Sequence, residues 1–189
     1  MVDQSRVDGI LGFLRYAERL KYLTRSAWTS TGRQESIAEH SWRLSLMCLV
    51  LRGDFPGVEL DRVLRMCIVH DLGEAVHGDI PAPAQERMDG KASQERADIV
   101  EAMASLPAAE RDEILALWEE YEAAATPEAR LAKALDKLET ILQHNQGMNP
   151  AGFDYAFNLH YGRQYTTDPP VIAAMRAALD GETKKREGA

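Results

Sequence analysis

The chain has 189 residues, 45% of them hydrophobic and 28% charged, enough for one domain with a sizeable core that needs no disulfide to fold. Its 22 basic residues against 30 acidic ones give a formal charge of −8, which excludes coating DNA or RNA through a basic face. A small phosphorylated substrate stays compatible, because a few Arg and Lys at one site oppose the overall sign locally. No basic start leads into an apolar leader, and no run approaches the roughly 18 apolar residues of a membrane span. The expectation is a soluble, cytoplasmic chain with no membrane and no nucleic-acid polymer among its partners. Cys48 and Cys67 sit in apolar runs without CxxC spacing, so they are expected as buried reduced thiols.

Helical periodicity organises the sequence. Ile10, Phe13, Leu14, Ala17 and Leu20 form one stripe of an amphipathic helix. The polar stretch from Thr24 to Glu35 has no period and is expected to be a loop. Ser36 and Glu39 fit a capping box that opens a second helix carrying Leu44, Met47 and Leu51, which stops near Gly53 before Phe55-Pro56-Gly57. Asp61 is a candidate cap for a third helix that carries Val63, Leu64, Cys67 and Ile68 and runs on through His70 to Ala75. A loop with Gly78, Pro81 and Pro83 follows. Ser93–Leu106, Pro107 to about Ala124, and Thr126–His144 have the pattern of three more helices, with Thr126 as a cap and prolines at first-turn positions. A Gly/Asn/aromatic stretch from Gln146 to Tyr165 precedes a short helix after Pro169-Pro170, and residues 182–189 are expected to be a disordered tail. No run alternates apolar and polar residues long enough to predict a strand. The class is all-α, with a single domain over residues 1–181.

The candidate chemistry lies in histidines and carboxylates that interrupt these stripes. His40 stands in the first turn of its helix, and His70-Asp71 follow directly on Cys67-Ile68-Val69. A charged Asp beside such a run is expensive to bury unless a metal or an ion pair compensates it. On a helix Glu74 shares a side with His70 and Asp71. Asp136 breaks a second stripe, formed by Leu131, Ala134, Leu135, Leu138 and Leu142. Each is ordinary alone: a single helical His is usually hydrogen-bonded structure, and Asp136-Lys137 could be a solvated face. Together, two imidazoles and two carboxylates suit a divalent ion such as Mn²⁺, Fe²⁺, Co²⁺ or Zn²⁺, which lowers the pKa of a bound water and makes it a nucleophile.

In order along the chain, Ser36-Ile-Ala-Glu-His40-Ser, Ile68-Val-His-Asp-Leu-Gly-Glu74-Ala, Gly78-Asp79-Ile80-Pro81 and Leu135-Asp-Lys-Leu-Glu-Thr-Ile-Leu-Gln143 resemble the H…HD…D pattern of the HD-domain metal-dependent phosphohydrolases. Within them the chain is most similar to the small single-domain 5′-deoxynucleotidase type, over roughly residues 8 to 165, with Arg25-Ser-Ala-Trp28 as a further matching stretch. The resemblance implies an HD-type helical bundle with a metal site between helices. It also implies a phosphomonoesterase releasing phosphate from deoxyribonucleoside 5′-monophosphates. His40, His70, Asp71 and Asp136 would then hold one divalent ion (Co, Mn, Fe, Mg or Zn). Glu74 would orient or deprotonate a water, or protonate the leaving 5′-oxygen. Arg25 would clamp the phosphate, Trp28 would pack on the sugar and disfavour a 2′-hydroxyl, and Asp79 would contact substrate or water. As a family these proteins resemble homodimers, so a homodimer acting on a small nucleotide is implied. Two alternatives stay open: a di-iron HD oxygenase, or a non-catalytic nucleotide-binding HD protein. No histidine lies between His77 and His144, where dinuclear branches place further ligands, and Glu74 is followed by Ala75 rather than the Asp of the alarmone hydrolases. His77 is expected not to ligate.

Overall fold

The computed structural model of the chain describes residues 3–78 and 91–188. Among them are helices α1 (Gln4–Ala17), α2 (Ile37–Val50), α3 (Leu60–Val69), α4 (Glu74–His77), α5 (Lys91–Ala102), α6 (Ala108–Ala123), α7 (Pro127–Gln146) and α8 (Pro170–Glu187). A single hairpin, β1 (Thr24–Trp28) and β2 (Gln34–Ser36), precedes α2. The loop of Gly78, Pro81 and Pro83 lies almost wholly outside the described residues.

Local chemistry sets most of these boundaries. Ser36 Oγ accepts from the Glu39 amide while the Glu39 carboxylate accepts from the Ser36 amide, the reciprocal cap expected for α2. Thr126 caps α7 by accepting from Ala129 N at 3.1 Å, with Pro127 in the first turn. The α3 cap differs from expectation: Glu59, not Asp61, is the N-cap, and Asp61 lies in the first turn, where its charge suits the helix dipole. α3 also stops at Val69 instead of continuing to Ala75. Amides at 72, 74, 75 and 76 reach back three residues instead of four, tightening the chain into a turn that delivers α4.

The Thr24–Glu35 segment is the hairpin, antiparallel and irregular, with Thr24 opposite Ser36 and Trp28 opposite Gln34. Strands of five and three residues are too short to show a period, and Gly32 at φ +84° closes the turn between them. The hairpin leans on the end of α7. Gln143 Nε2 donates to the Trp28 carbonyl, and a Cβ at Gly147 would collide with that same oxygen.

α7 is the axis of the molecule, packing on α2, α3, α6, α8 and β1. Two apolar clusters form around it. Leu44, Met66, Cys67, Leu135, Leu138 and Ile172 belong to the larger, which holds both free cysteines. Leu20, Ile37, Leu72, Ile99, Met103 and Trp118 belong to the smaller, where Ile10, Phe13 and Ala17 of α1 also pack; Leu14 of that predicted stripe points outward. The seam between the clusters crosses α2 between Ile37 and Leu44 and the end of α3 between Val69 and Leu72. His40 and His70-Asp71 occupy that seam.

The chain after α7 is more ordered than its composition suggested. Residues 182–187, expected in a disordered tail, continue α8, which is 18 residues long rather than short. Thr183 donates to Asn145 Oδ1, and Arg186 donates to the carbonyls of Asn145 and Gly147, so specific polar contacts hold a stretch that lacks apolar ones. The Gln146–Tyr165 stretch is pinned by buried Arg176, whose guanidinium donates to the Asn158 and Tyr161 carbonyls, Thr166 Oγ1 and Asp180. His144 Nδ1 donates to Asn158 Oδ1 at 2.8 Å.

Arg176→Leu leaves two buried carbonyls without their donor and Asp180 with Arg163 as its one remaining cation. It is expected to cost about 3 kcal/mol, read as a fall in Tm of roughly 6–12 °C. Burial pushes the His144 imidazole below its ordinary pKa, against the Asn158 bond and the nearby Glu139 charge that raise it. The unfolded chain therefore takes up a proton near pH 6.5 that the folded chain resists. Stability contributed by neutral His144 is complete above that pH and is lost as pH falls toward the depressed folded value. In His144→Gln the decline in Tm between pH 7.5 and pH 5.5 (values of order set by the free imidazole) is expected to be shallower than in wild type.

Candidate metal centre and its cavity

Four side chains from three parts of the fold converge in the seam. His40 comes from the first turn of α2, His70 and Asp71 from the turn closing α3, and Asp136 from the middle of α7. His40 Nε2 lies 3.3 Å from His70 Nε2, 3.2 Å from Asp136 Oδ1 and 3.7 Å from Asp71 Oδ2. His70 Nε2 lies 3.0 Å from Asp71 Oδ2 and 4.0 Å from Asp136 Oδ1.

Three of the four converging side chains, His40, His70 and Asp136, are fixed by what holds their other end. His40 Nδ1 donates to Glu139 Oε2, and His70 Nδ1 donates to the Cys67 carbonyl at 3.0 Å. Both imidazoles therefore turn Nε2 toward the cluster. Asp136 Oδ2 accepts from Tyr121 Oη at 2.7 Å and from Lys137 Nζ at 2.8 Å, which leaves Oδ1 facing the imidazoles. Burial and the Asp136 and Asp71 charges push the Tyr121 phenol well above its ordinary pKa, so it remains a donor.

Donors about 2.1 Å from a common divalent ion lie roughly 3.0–3.4 Å apart when adjacent, close to the spacings here. The donor set fits such an ion: two imidazole nitrogens and two carboxylates in a nearly dry pocket call for positive charge. The same demand shows in His40. Burial and Arg25 oppose its protonation, yet Glu139 and Asp136 outweigh them and raise its pKa to about 9. Asp71 is held well below the carboxylate range, because His70 and His40 overcome the burial that would raise it.

A second acidic group, Glu35–His40–Glu139, differs in kind. Arg43 Nε donates to Glu139 Oε1 at 2.6 Å, and Arg25 Nη1 lies 3.2 Å from Glu35 Oε2 and 3.7 Å from Glu139 Oε2. Two guanidinium groups already neutralise these carboxylates.

His70, Asp71 and Asp136 floor a cavity of about 320 Å³, and fully buried His40 meets them without lining it. Glu74, from α4, lines it beside His70 and Asp71, although the turn at 70–73 means it gets there from a separate helix. Arg25, Lys133 and Lys137 bring positive charge to the wall, and Phe153, Phe157 and Tyr161 supply an aromatic side. Arg25 is partly committed, since Nη2 also donates to Thr140 Oγ1 at 3.1 Å. Lys137 runs past Gly162, where φ is +65° and a Cβ would collide with the lysine stem.

Not every candidate residue arrives. Trp28 is not among the described cavity-lining residues; it packs edge-on against Phe153, one layer behind the wall. Asp79 lies outside the described residues. His77 is largely exposed and bonds Asp98 at 3.0 Å at the rim, apart from the cluster. Glu139, Tyr121 and Lys137 were given no role by sequence reasoning. Glu139 was legible as a carboxylate one turn beyond Asp136 on the same face. Nothing in the sequence marks Tyr121.

The described residues contain no helix long and apolar enough to cross a membrane. The HD domain family model matches residues 17–175. A 5′-deoxynucleotidase HDDC2 from Mus musculus is 34% identical over 140 residues, covering 73% of this chain and 69% of the relative. The HDDC2 protein of Dictyostelium discoideum is 37% identical over 146 residues, covering 72% and 76%. A crystal structure of a predicted metal-dependent phosphohydrolase from Magnetospirillum magnetotacticum MS-1 superposes with a TM-score of 0.83 at 30% identity, covering 97% of this chain and 98% of that one. On the match over most of its length and on these relatives, the chain belongs to the HD domain family.

Proposed function

We propose that the protein is a metal-dependent phosphomonoesterase of the 5′-deoxynucleotidase type, converting a deoxyribonucleoside 5′-monophosphate and water to a nucleoside and phosphate. The observation that carries this reading is the meeting of His40, His70, Asp71 and Asp136, the last three lining the floor of one cavity beside Glu74. The named relatives supply the substrate class.

His40, His70, Asp71 and Asp136 would hold one divalent ion, which when bound acts as a Lewis acid toward phosphate and lowers the pKa of water. Glu74 faces the same floor and is the proton carrier, taking a proton from the attacking water or giving one to the departing 5′-oxygen. Arg25, Lys133 and Lys137 set positive potential against a dianionic phosphate in a chain of net charge −8. Arg25 cannot close on phosphate with its whole fork while it also holds Glu35 and Thr140, so it contributes chiefly as a fixed charge. Phe153, Phe157 and Tyr161 form the wall against which sugar and base pack, with Trp28 backing Phe153. Asp79 is retained as a substrate- or water-contacting residue on the sequence pattern alone. Glu139 orients His40 and, through Arg43 and Arg25, ties that imidazole to the cationic wall. The cytoplasm, where thiols in contact such as Cys48 and Cys67 stay reduced, is the compartment assigned.

The test is a phosphate-release screen over deoxyribo- and ribonucleoside monophosphates, sugar phosphates and deoxynucleoside triphosphates, on chelator-stripped protein with Co²⁺, Mn²⁺, Fe²⁺, Mg²⁺ or Zn²⁺ restored in turn. Deoxyribonucleoside 5′-monophosphates should be hydrolysed only with metal restored; full activity after exhaustive chelation sinks the reading. Glu74→Ala should keep its metal while kcat falls by about 10² to 10⁴. Glu139→Gln removes the charge behind His40 but keeps an acceptor, and should weaken metal binding by about 10- to 100-fold in titration calorimetry, while Tm of the metal-free protein also falls because Arg43 and His40 lose their buried counter-charge. Unaltered metal affinity would return Glu139 to a purely structural role.

A further inference from the structure

The cavity runs along α7, and its two ends differ. Lys133, Asp136, Lys137, Thr140 and His144 follow one another on its inner wall. At the Lys133 end the aromatic rings of Trp118 and Tyr121 are buried, and Glu95, Asp98 and Glu122 line the space. His144 stands eight residues past Asp136 on the same helix, roughly 12 Å along its axis, the reach of a nucleotide from phosphorus to the far edge of its base. Phe153 meets His144 there, with ring centroids 4.9 Å apart, and is braced on its other edges by Trp28 and Tyr155. A phosphate on the floor therefore places its base against Phe153 and Phe157.

Between those two phenylalanines in the chain stands Asp154, exposed at the mouth of the cavity and part of its lining. Its Oδ1 accepts from Phe157 N at 3.2 Å, so the carboxylate is held in a fixed relation to both rings. No cation pairs with it among the described residues. Phe157 N occupies one of the carboxylate's four or so acceptor positions, and the rest are open to a ligand.

We propose that Asp154 reads the base and selects guanine. An ionised carboxylate only accepts hydrogen bonds, and its two oxygens call for two adjacent donors. Guanine presents such a pair, N1–H and the N2 amino group. Adenine and cytosine set one amino group beside a ring nitrogen that is itself an acceptor, and thymine sets one N–H between two carbonyls, so each turns a lone pair toward the carboxylate.

This inference rests on reading the cavity as a nucleotide site, and its test uses deoxynucleosides, which carry no phosphate to release. In calorimetry on the metal-restored chain, deoxyguanosine should bind about 10- to 100-fold more tightly than deoxyadenosine, deoxycytidine or thymidine. Deoxyinosine, which lacks the N2 amino group, should lose most of that advantage. Asp154→Asn keeps an acceptor for Phe157 N, so Tm should hold, while the four affinities should converge to within about 3-fold. The kcat/KM values of the four monophosphates should follow the same order. Four nucleosides bound alike by the wild type overturn the proposal. So does deoxyinosine binding as well as deoxyguanosine, or an Asp154→Asn variant that weakens all four equally, which is the mark of a contact to the sugar. A deoxyguanosine preference that Asp154→Asn abolishes supports the assignment even if no monophosphate is hydrolysed, a result that would sink the reaction proposed above and leave base reading in place.

Discussion

Two imidazole nitrogens and two carboxylate oxygens pointing at one another inside a protein form an arrangement that only positive charge makes tolerable. The rest of this structure can be understood as what is needed to hold His40, His70, Asp71 and Asp136 in that arrangement. Three of these side chains are anchored by specific polar contacts. Glu139 holds the far nitrogen of His40, the Cys67 carbonyl holds that of His70, and Tyr121 with Lys137 holds the far oxygen of Asp136. These supporting contacts are what make the donor geometry a property of the folded chain.

The seam between two apolar clusters is the natural place for such a site. A polar cluster in the middle of one core would strand its members among groups that cannot hydrogen-bond. At the seam, α2 and the end of α3 each pass from one cluster to the other, and their polar residues fall in the gap. α7 runs along the seam and contributes Asp136, Lys137, Glu139 and Thr140 in succession, an inner wall with no apolar substitute. The hairpin and the segment after α7 complete the enclosure, bringing Arg25 and the aromatic side chains to a cavity that helices alone would leave open.

The cavity lining carries both signs of charge, with acidic groups outnumbering basic ones as they do in the whole molecule. Asp71, Glu74 and Asp136 gather at the floor, where an ion fits, and Arg25, Lys133 and Lys137 stand on the wall beside Glu95, Asp98, Glu122 and Asp154. The carboxylates Glu35 and Glu139 keep Arg25 and Arg43 in place, as a set of paired charges stiffer than isolated surface pairs. A positioned field of this kind is what phosphoryl transfer asks of a protein, since the reaction needs charge stabilisation more than covalent help.

Much of this was legible in the residue order. Capping chemistry at Ser36 and Thr126, the apolar periods of the helices and the polar residues that interrupt them are local facts, and local energetics sets them before any tertiary contact forms. The family pattern of His40, His70-Asp71, Glu74 and Asp136 was readable because spacing along the chain is all that such a pattern uses. What escaped was decided by contacts between distant segments. The Thr24–Ser36 hairpin exists because α7 offers it a surface at Gly147, and α8 runs on to Glu187 because Asn145 and Gly147 engage its last turns. Tyr121 reaches Asp136 only once α6 lies beside α7, and Trp28 falls behind Phe153 only once the segment after α7 folds over the hairpin. A one-dimensional pattern records which side chains are able to do chemistry, whereas the supports that aim them are fixed by packing across the whole chain.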